Sequence, residues 1–150
     1  MSFKSYMAAA LDEAKRAGDR GEVPVGAVLV GPKGNVLASA GNQTRGLSDP
    51  TAHAEVLVIR EAAKLLGSER LTGCDLYVTL EPCAMCAAAI SAARVRRLYY
   101  GARDPKSGGV EHGAKVFSHK QSHHVPEVYD GIGASESAEM LKAFFAGRRD

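Results

Sequence analysis

The chain has 150 residues, 45% of them hydrophobic and 24% charged, and its formal net charge is +2. That suits one compact domain over residues 1–150 whose core needs no disulfide staples. No apolar run approaches the ~20 residues of a membrane-spanning helix, and Met1-Ser2-Phe3-Lys4 is unlike a secretory signal, so a cytoplasmic protein with no membrane partner is expected.

The first predicted element is a helix over 3–18. Phe3, Tyr6, Met7, Ala10, Leu11 and Ala14 recur at three and four, and Gly18 follows as a stop. Val25–Val30 is a β-rich run, Gly31–Asn35 a turn, and Val36–Ala40 is extended again, which together make a hairpin. Residues 52–66 return to helical spacing, with Val56, Ile59, Ala63 and Leu66 on one face. Leu76–Leu80 reads as a strand. Pro82–Ala93 reads as an alanine-rich helix with Pro82 in its first turn. Val95–Tyr100 is another strand, and Gly101–Gly113 a loop. Residues 114–132 carry little signal beyond a short strand near Val125–Val128. Ser135–Ala146 closes the chain as a helix with Met140, Leu141, Phe144 and Phe145. Helices alternating with strands around a sheet that begins as a hairpin predict an α/β fold, a three-layer α/β/α sandwich with a mixed central sheet.

Two short segments carry the chemistry. His53-Ala54-Glu55 and Pro82-Cys83-Ala84-Met85-Cys86 each open a predicted helix. Cys83 and Cys86 are three apart, so both sulfurs fall on one face of a first turn. A helix N-terminus favours the thiolate that binds metal. With His53 they form a three-ligand N/S set, which suits one Zn2+ per chain and leaves a fourth position for water. Zinc lowers the pKa of such a water to about 7. Glu55 is not needed as a ligand, and a carboxylate beside that water can take its proton and pass it on. Three cysteines, an odd number, also argue against a disulfide framework. Paired H-x-E and P-C-x-x-C segments are the signature of zinc-dependent nucleobase deaminases.

Other groups are less informative. Cys74 reads as a small buried side chain. His119, His123 and His124 lack the Cys or carboxylate support of a second metal site, and read better as loop or substrate-contacting residues. Lys106-Ser107-Gly108-Gly109 lacks the Walker pattern. Phe144-Phe145 with Arg148-Arg149 reads either as a stacking clamp for RNA or as a core anchor with a basic helix end. Arg94, Arg96, Arg97, Arg103, Lys106, Lys115 and Lys120 face only Asp104 and Glu111 over residues 94–120. Such a local positive surface attracts a phosphate backbone, or merely keeps a solvated face soluble.

Several blocks go beyond the zinc signature: Glu22–Val30, Asn42, Asp49–Glu55, Leu76–Cys86, Gly101–Asp104 and Phe144-Phe145. In these the chain resembles the bacterial tRNA-specific adenosine deaminases over nearly its whole length. The resemblance implies a cytidine-deaminase-like fold, a homodimer, and a tRNA anticodon stem-loop as partner. It implies conversion of adenosine to inosine at the wobble position, with Glu55 protonating N1 of adenine and then the departing ammonia. It implies that Asn42 hydrogen-bonds the flipped base, that Glu22, Val23 and Pro24 shape the pocket, and that Asp104, Lys106 and Ser107 line the loop meeting the anticodon. Phe144, Phe145 and Arg148 join these as RNA contacts. The chain departs from the family pattern at Ala88, where Gly is common, and at His123-His124, where Asn-His is common.

Three other readings share parts of the pattern. A deaminase of free bases or nucleosides would keep zinc and Glu55 but not need the basic 94–120 surface. A zinc-stabilised RNA-binding module needs a fourth protein ligand, which the signature does not supply. A thiol-disulfide oxidoreductase leaves His53 and Glu55 without a task.

Overall fold

The computed structural model describes residues 5–148. Five strands form one sheet in the order β2-β1-β3-β4-β5, with β1 Gly26–Val30, β2 Val36–Gly41, β3 Asp75–Leu80, β4 Arg97–Ala102 and β5 Glu127–Tyr129. β1 runs antiparallel to β2 and β3, while β3, β4 and β5 are parallel. The sheet is therefore mixed, as the alternation of elements predicts.

The helices are α1 Met7–Asp19, α2 Ala54–Leu66, α3 Ala84–Ala92 and α4 Ala134–Ala146. α1 and α4 cover one face of the sheet, and α2 and α3 the other. Period-two alternation decides which strand residues face which layer. Val28, Val30, Tyr77 and Tyr99 pack with Met7, Ala10 and Leu11 of α1. Ala27, Leu29, Leu76, Val78 and Leu98 pack with Ala54, Val58 and Ala62 of α2 and Ile90 of α3. This is the α/β/α sandwich.

Local differences from the predicted elements have physical reasons. α1 does not stop at Gly18 but runs to Asp19. Gly18 instead gives Pro24 room, since a Cβ there would lie 3.3 Å from Pro24 Cβ, and the chain turns at Gly21, φ 87°. Phe3, counted in that predicted helix, lies outside the described residues. α3 begins at Ala84, not Pro82, because Cys83 is extended (φ −70°, ψ 174°) at its N-cap. β4 reaches Ala102, into the predicted loop, because Ala102 pairs with Leu80 of β3. The expected apolar face of α2 is shifted: Val58 and Ala62 are buried, while Leu66 is exposed.

Gly26 and Gly41 face each other across the β1–β2 ladder. A Cβ on Gly41 would lie 2.7 Å from the Glu13 carbonyl. These two glycines let α1 lie directly on the hairpin, which fixes the loop that follows β2 and carries Asn42.

Candidate metal centre and active site

β3 ends at Leu80, and Glu81-Pro82 lead straight into Cys83, the N-cap of α3. His53 is the N-cap of α2. Neither residue caps its helix with its own side chain, because both side chains turn toward each other. His53 Nδ1 lies 3.5 Å from Cys86 Sγ and 3.7 Å from Cys83 Sγ, and the three ligand atoms all fall within 4.8 Å of one another. Bonds of about 2.1 Å (Zn–N) and 2.3 Å (Zn–S) at a tetrahedral angle put N and S about 3.6 Å apart. The observed separations therefore fit one zinc ion. Among the described residues this is the one such group, and His119, His123 and His124 are not part of it.

Without a cation, electrostatics within the cluster favour the ligand form of Cys83 alone. The Cys86 thiol beside Cys83, helped by His53, lowers the Cys83 pKa to about 4. The same contact, with burial, raises that of Cys86. The Cys83 contact also raises His53. With protein charges alone, the two sulfurs share one proton, and a cation placed among them would displace it.

Glu55 occupies the first turn of α2, two residues from His53. It is buried, and its Oε1 has no hydrogen-bond partner among the described residues. Burial pushes its carboxyl up to about 7. A buried carboxylate oxygen without a partner is costly unless something else satisfies it, and a water beside the metal would do so.

The other predicted site residues divide into groups. Asn42 Oδ1 accepts the N–H of Ala54 at 2.8 Å, so this residue sits beside both His53 and Glu55. Glu22 is buried with its carboxylate already engaged, accepting the N–H groups of Arg45 at 3.1 Å and Gly46 at 2.7 Å. It shapes the 44–46 loop and does not face open space. Pro24 is fully buried. Val23, Leu80, Asp104, Lys106, Ser107 and Phe145 help to line one cavity of about 510 Å³. Phe144 packs edge-to-face on Phe145 with ring centroids 5.3 Å apart, and the Arg148 guanidinium lies 4.0 Å over the Phe144 ring. Phe145 itself is 54% exposed, which sets aside the core-anchor reading for this ring.

One residue without a predicted role is central here. Glu81 is 2% exposed. Its carboxylate accepts the N–H groups of Asp104, Val110, Glu111 and His112, and His112 Nδ1–H at 2.8 Å. Burial alone would raise its pKa, but these donors outweigh it and hold the carboxyl below its ordinary range. Its partners lie 23 to 31 residues away, and the one local hint was an acid preceding Pro82-Cys83.

A three-layer sandwich that brings one histidine and two thiols together at two helix starts, with a buried acid beside them, defines a zinc-dependent hydrolytic deaminase. The sequence model of the cytidine and deoxycytidylate deaminase zinc-binding region matches residues 2–102, and the chain belongs to that family. It is 62% identical over 144 residues to a tRNA-specific adenosine deaminase of Agrobacterium fabrum, covering 96% of this chain and 94% of that one. It is 46% identical over 140 residues to a tRNA-specific adenosine deaminase of Bacillus subtilis, covering 93% and 86%. A solved structure from studies of A-to-I editing by tRNA:A34 deaminases at the wobble position of transfer RNA superposes with a TM-score of 0.89 at 63% identity, over 91% of this chain and 98% of that one. A guanine deaminase from Bacillus subtilis superposes at 0.66 with 29% identity, over 100% and 99%.

Proposed function

We propose that this chain converts adenosine to inosine at the wobble position of tRNA anticodons, releasing ammonia. One observation carries the chemistry: buried Glu55, with an oxygen lacking a partner, stands beside a three-ligand zinc group. The substrate follows from the relatives, which bear the name tRNA-specific adenosine deaminase at up to 62% identity.

His53, Cys83 and Cys86 would hold the zinc. When bound, it supplies the Lewis acidity that makes a water nucleophilic near neutral pH. Glu55 accepts the proton of that water as its oxygen adds to C6 of adenine. The same carboxyl gives this proton to N1, then takes a second one from the hydroxyl formed on C6 and delivers it to the exocyclic nitrogen as the C6 carbonyl forms and the C6–N bond breaks, releasing ammonia. Burial raises the Glu55 pKa, the direction that lets a carboxyl hold a proton between two transfers. Asn42 presents its Nδ2 donor toward the base, since its Oδ1 is engaged by Ala54. The cavity bounded by Val23, Lys106, Ser107 and Phe145 receives flanking nucleotides, with Phe145 as a stacking surface and Arg148 as a charge beside it.

The protein acts as one domain over 1–150, and as a homodimer in the cytoplasm. Exposed Leu65 and Leu66 on α2 and Met85 on α3 support pairing through those helices. Among the described residues no helix is long and apolar enough to cross a membrane.

The test is direct. The zinc-loaded protein is incubated with a tRNA bearing adenosine at the wobble position, and separately with free guanine, cytosine and adenosine. Inosine is read by reverse transcription and ammonia by a coupled assay. Inosine in tRNA is expected. Ammonia from a free base with unchanged tRNA would overturn the reading.

A further inference from the structure

We propose that Glu81 is a positioning residue that sets the RNA-facing turn at 104–107 against the metal-bearing helix, an inference that rests on the tRNA reading above. The carboxylate divides its acceptors between the two ends of the loop leaving β4. Oε1 takes the Asp104 N–H at 3.0 Å and His112 Nδ1–H at 2.8 Å. Oε2 takes the N–H groups of Glu111 at 2.9 Å, His112 at 3.1 Å and Val110 at 3.2 Å. One buried side chain thus closes the loop from both sides.

The loop is then fixed to the turn that carries Cys83. The Gly109 N–H donates to the Pro82 carbonyl at 2.8 Å. A Cβ on Gly109 would lie 2.7 Å from Ala84 Cα, and one on Gly108 would collide with the Glu81 carboxylate and the Asp104 carbonyl. Both glycines are needed for this close approach. Within the loop, Asp104 Oδ1 accepts the Ser107 N–H at 3.0 Å, and the Asp104 carbonyl accepts the Gly108 N–H at 2.8 Å. Glu81 therefore fixes Asp104, and Asp104 builds the turn that presents exposed Lys106 and Ser107.

Glu81 itself cannot touch RNA, because it is buried and its oxygens are filled. Its influence passes through Lys106 and Ser107. Glutamine in its place would set an NH2 against N–H groups on one side and leave them unpaired.

The test uses the full-length, zinc-loaded protein and tRNA bearing a wobble adenosine. Wild type is assayed first; no inosine from wild type would sink the function reading, whatever Glu81 does. Given an active wild type, Glu81→Gln is expected to raise KM for tRNA about 10-fold with kcat within about 3-fold, and to keep its zinc. In a Lys106→Ala/Ser107→Ala background the same change should add little, because the two act as one unit. Unchanged KM, a fall confined to kcat, loss of zinc, or full additivity would each overturn the proposal. Should Glu81→Gln not fold, His112→Ala removes a single half-buried partner. It is expected to raise KM about 3-fold with the same non-additivity, and an unchanged KM there also overturns the proposal.

Discussion

The Ala54 N–H donates to Asn42 Oδ1 at 2.8 Å. Ala54 is the first residue of α2 and lies between His53 and Glu55. A loop residue thus does the capping that His53 cannot do, because the His53 ring faces the two sulfurs. Asn42 is itself fixed, with its N–H on the Val25 carbonyl at 3.0 Å and its carbonyl accepting from Arg20 at 3.2 Å. The group that would read the base and the helix that positions metal and acid are one hydrogen-bonded unit.

Asn42→Asp separates these two roles. Aspartate keeps an acceptor for Ala54, so the thermal midpoint should hold. It replaces the Nδ2 donor with an oxygen, so kcat/KM on tRNA should fall about 5- to 150-fold, the worth of ~1–3 kcal/mol. Asn42→Ala should lose both activity and about 1 kcal/mol of stability through the missing cap. Thermal unfolding and tRNA kinetics on the same preparations check this. A fully active Asn42→Asp protein would remove Asn42 from substrate recognition.

Glu55→Ala should retain zinc and lose turnover by roughly 10²–10⁴-fold. None of the three ligand atoms belongs to Glu55, and its Oε1 has no protein partner to lose. Metal content by mass spectrometry and single-turnover rates decide it. Loss of zinc on this substitution would make Glu55 a ligand instead of the proton carrier.

Glu22 should contribute an acid-sensitive part of stability. Its folded-state pKa is lowered: burial works against this, but N–H donors from Gly46 and Arg45 and the Thr44 hydroxyl prevail. A carboxyl with depressed folded pKa stabilises above its unfolded value and loses that contribution as pH falls through the folded one. Glu22→Gln should therefore unfold at lower temperature at pH 7 and show a flatter decline below about pH 4.3, the ordinary glutamate value. Parallel acid limbs for the two proteins in thermal scans from pH 7 to pH 3 would contradict this.

The metal group was legible because its information is local. Cys83 and Cys86 share one helix start, and His53 and Glu55 another, so spacing pairs them within each segment, and the H-x-E and P-C-x-x-C signature joins the two. Glu81 was not legible, because backbone amides from Asp104 to His112 have no sequence signature and their approach depends on the β3–β4 pairing. Gly18 misled for a related reason. Its value lies in contact with Pro24, a tertiary fact, and not in ending a helix. The extent of β4 was fixed by its partner strand, with Ala102 opposite Leu80. The Phe144-Phe145 pair left two readings open, and exposure bears on Phe145 alone, since Phe144 is half-buried.

Zinc should act as a structural tie as well as a reagent. His53 and Cys83 are the N-caps of α2 and α3, and Cys86 is in the first turn of α3. These two helices cover one face of the sheet, so an ion binding all three side chains stabilises the folded state and not the unfolded one. Above saturation, stability should rise by about 1.4 kcal/mol for each tenfold increase in free zinc. Chelation should lower the thermal midpoint, and added zinc should restore it. Cys83→Ser should weaken that response strongly, since it removes a soft ligand while leaving Glu55 in place. Thermal scans across buffered zinc concentrations give the slope. A midpoint indifferent to zinc in the unsubstituted protein would mean that the helix starts hold together without it, and that the ion serves the reaction alone.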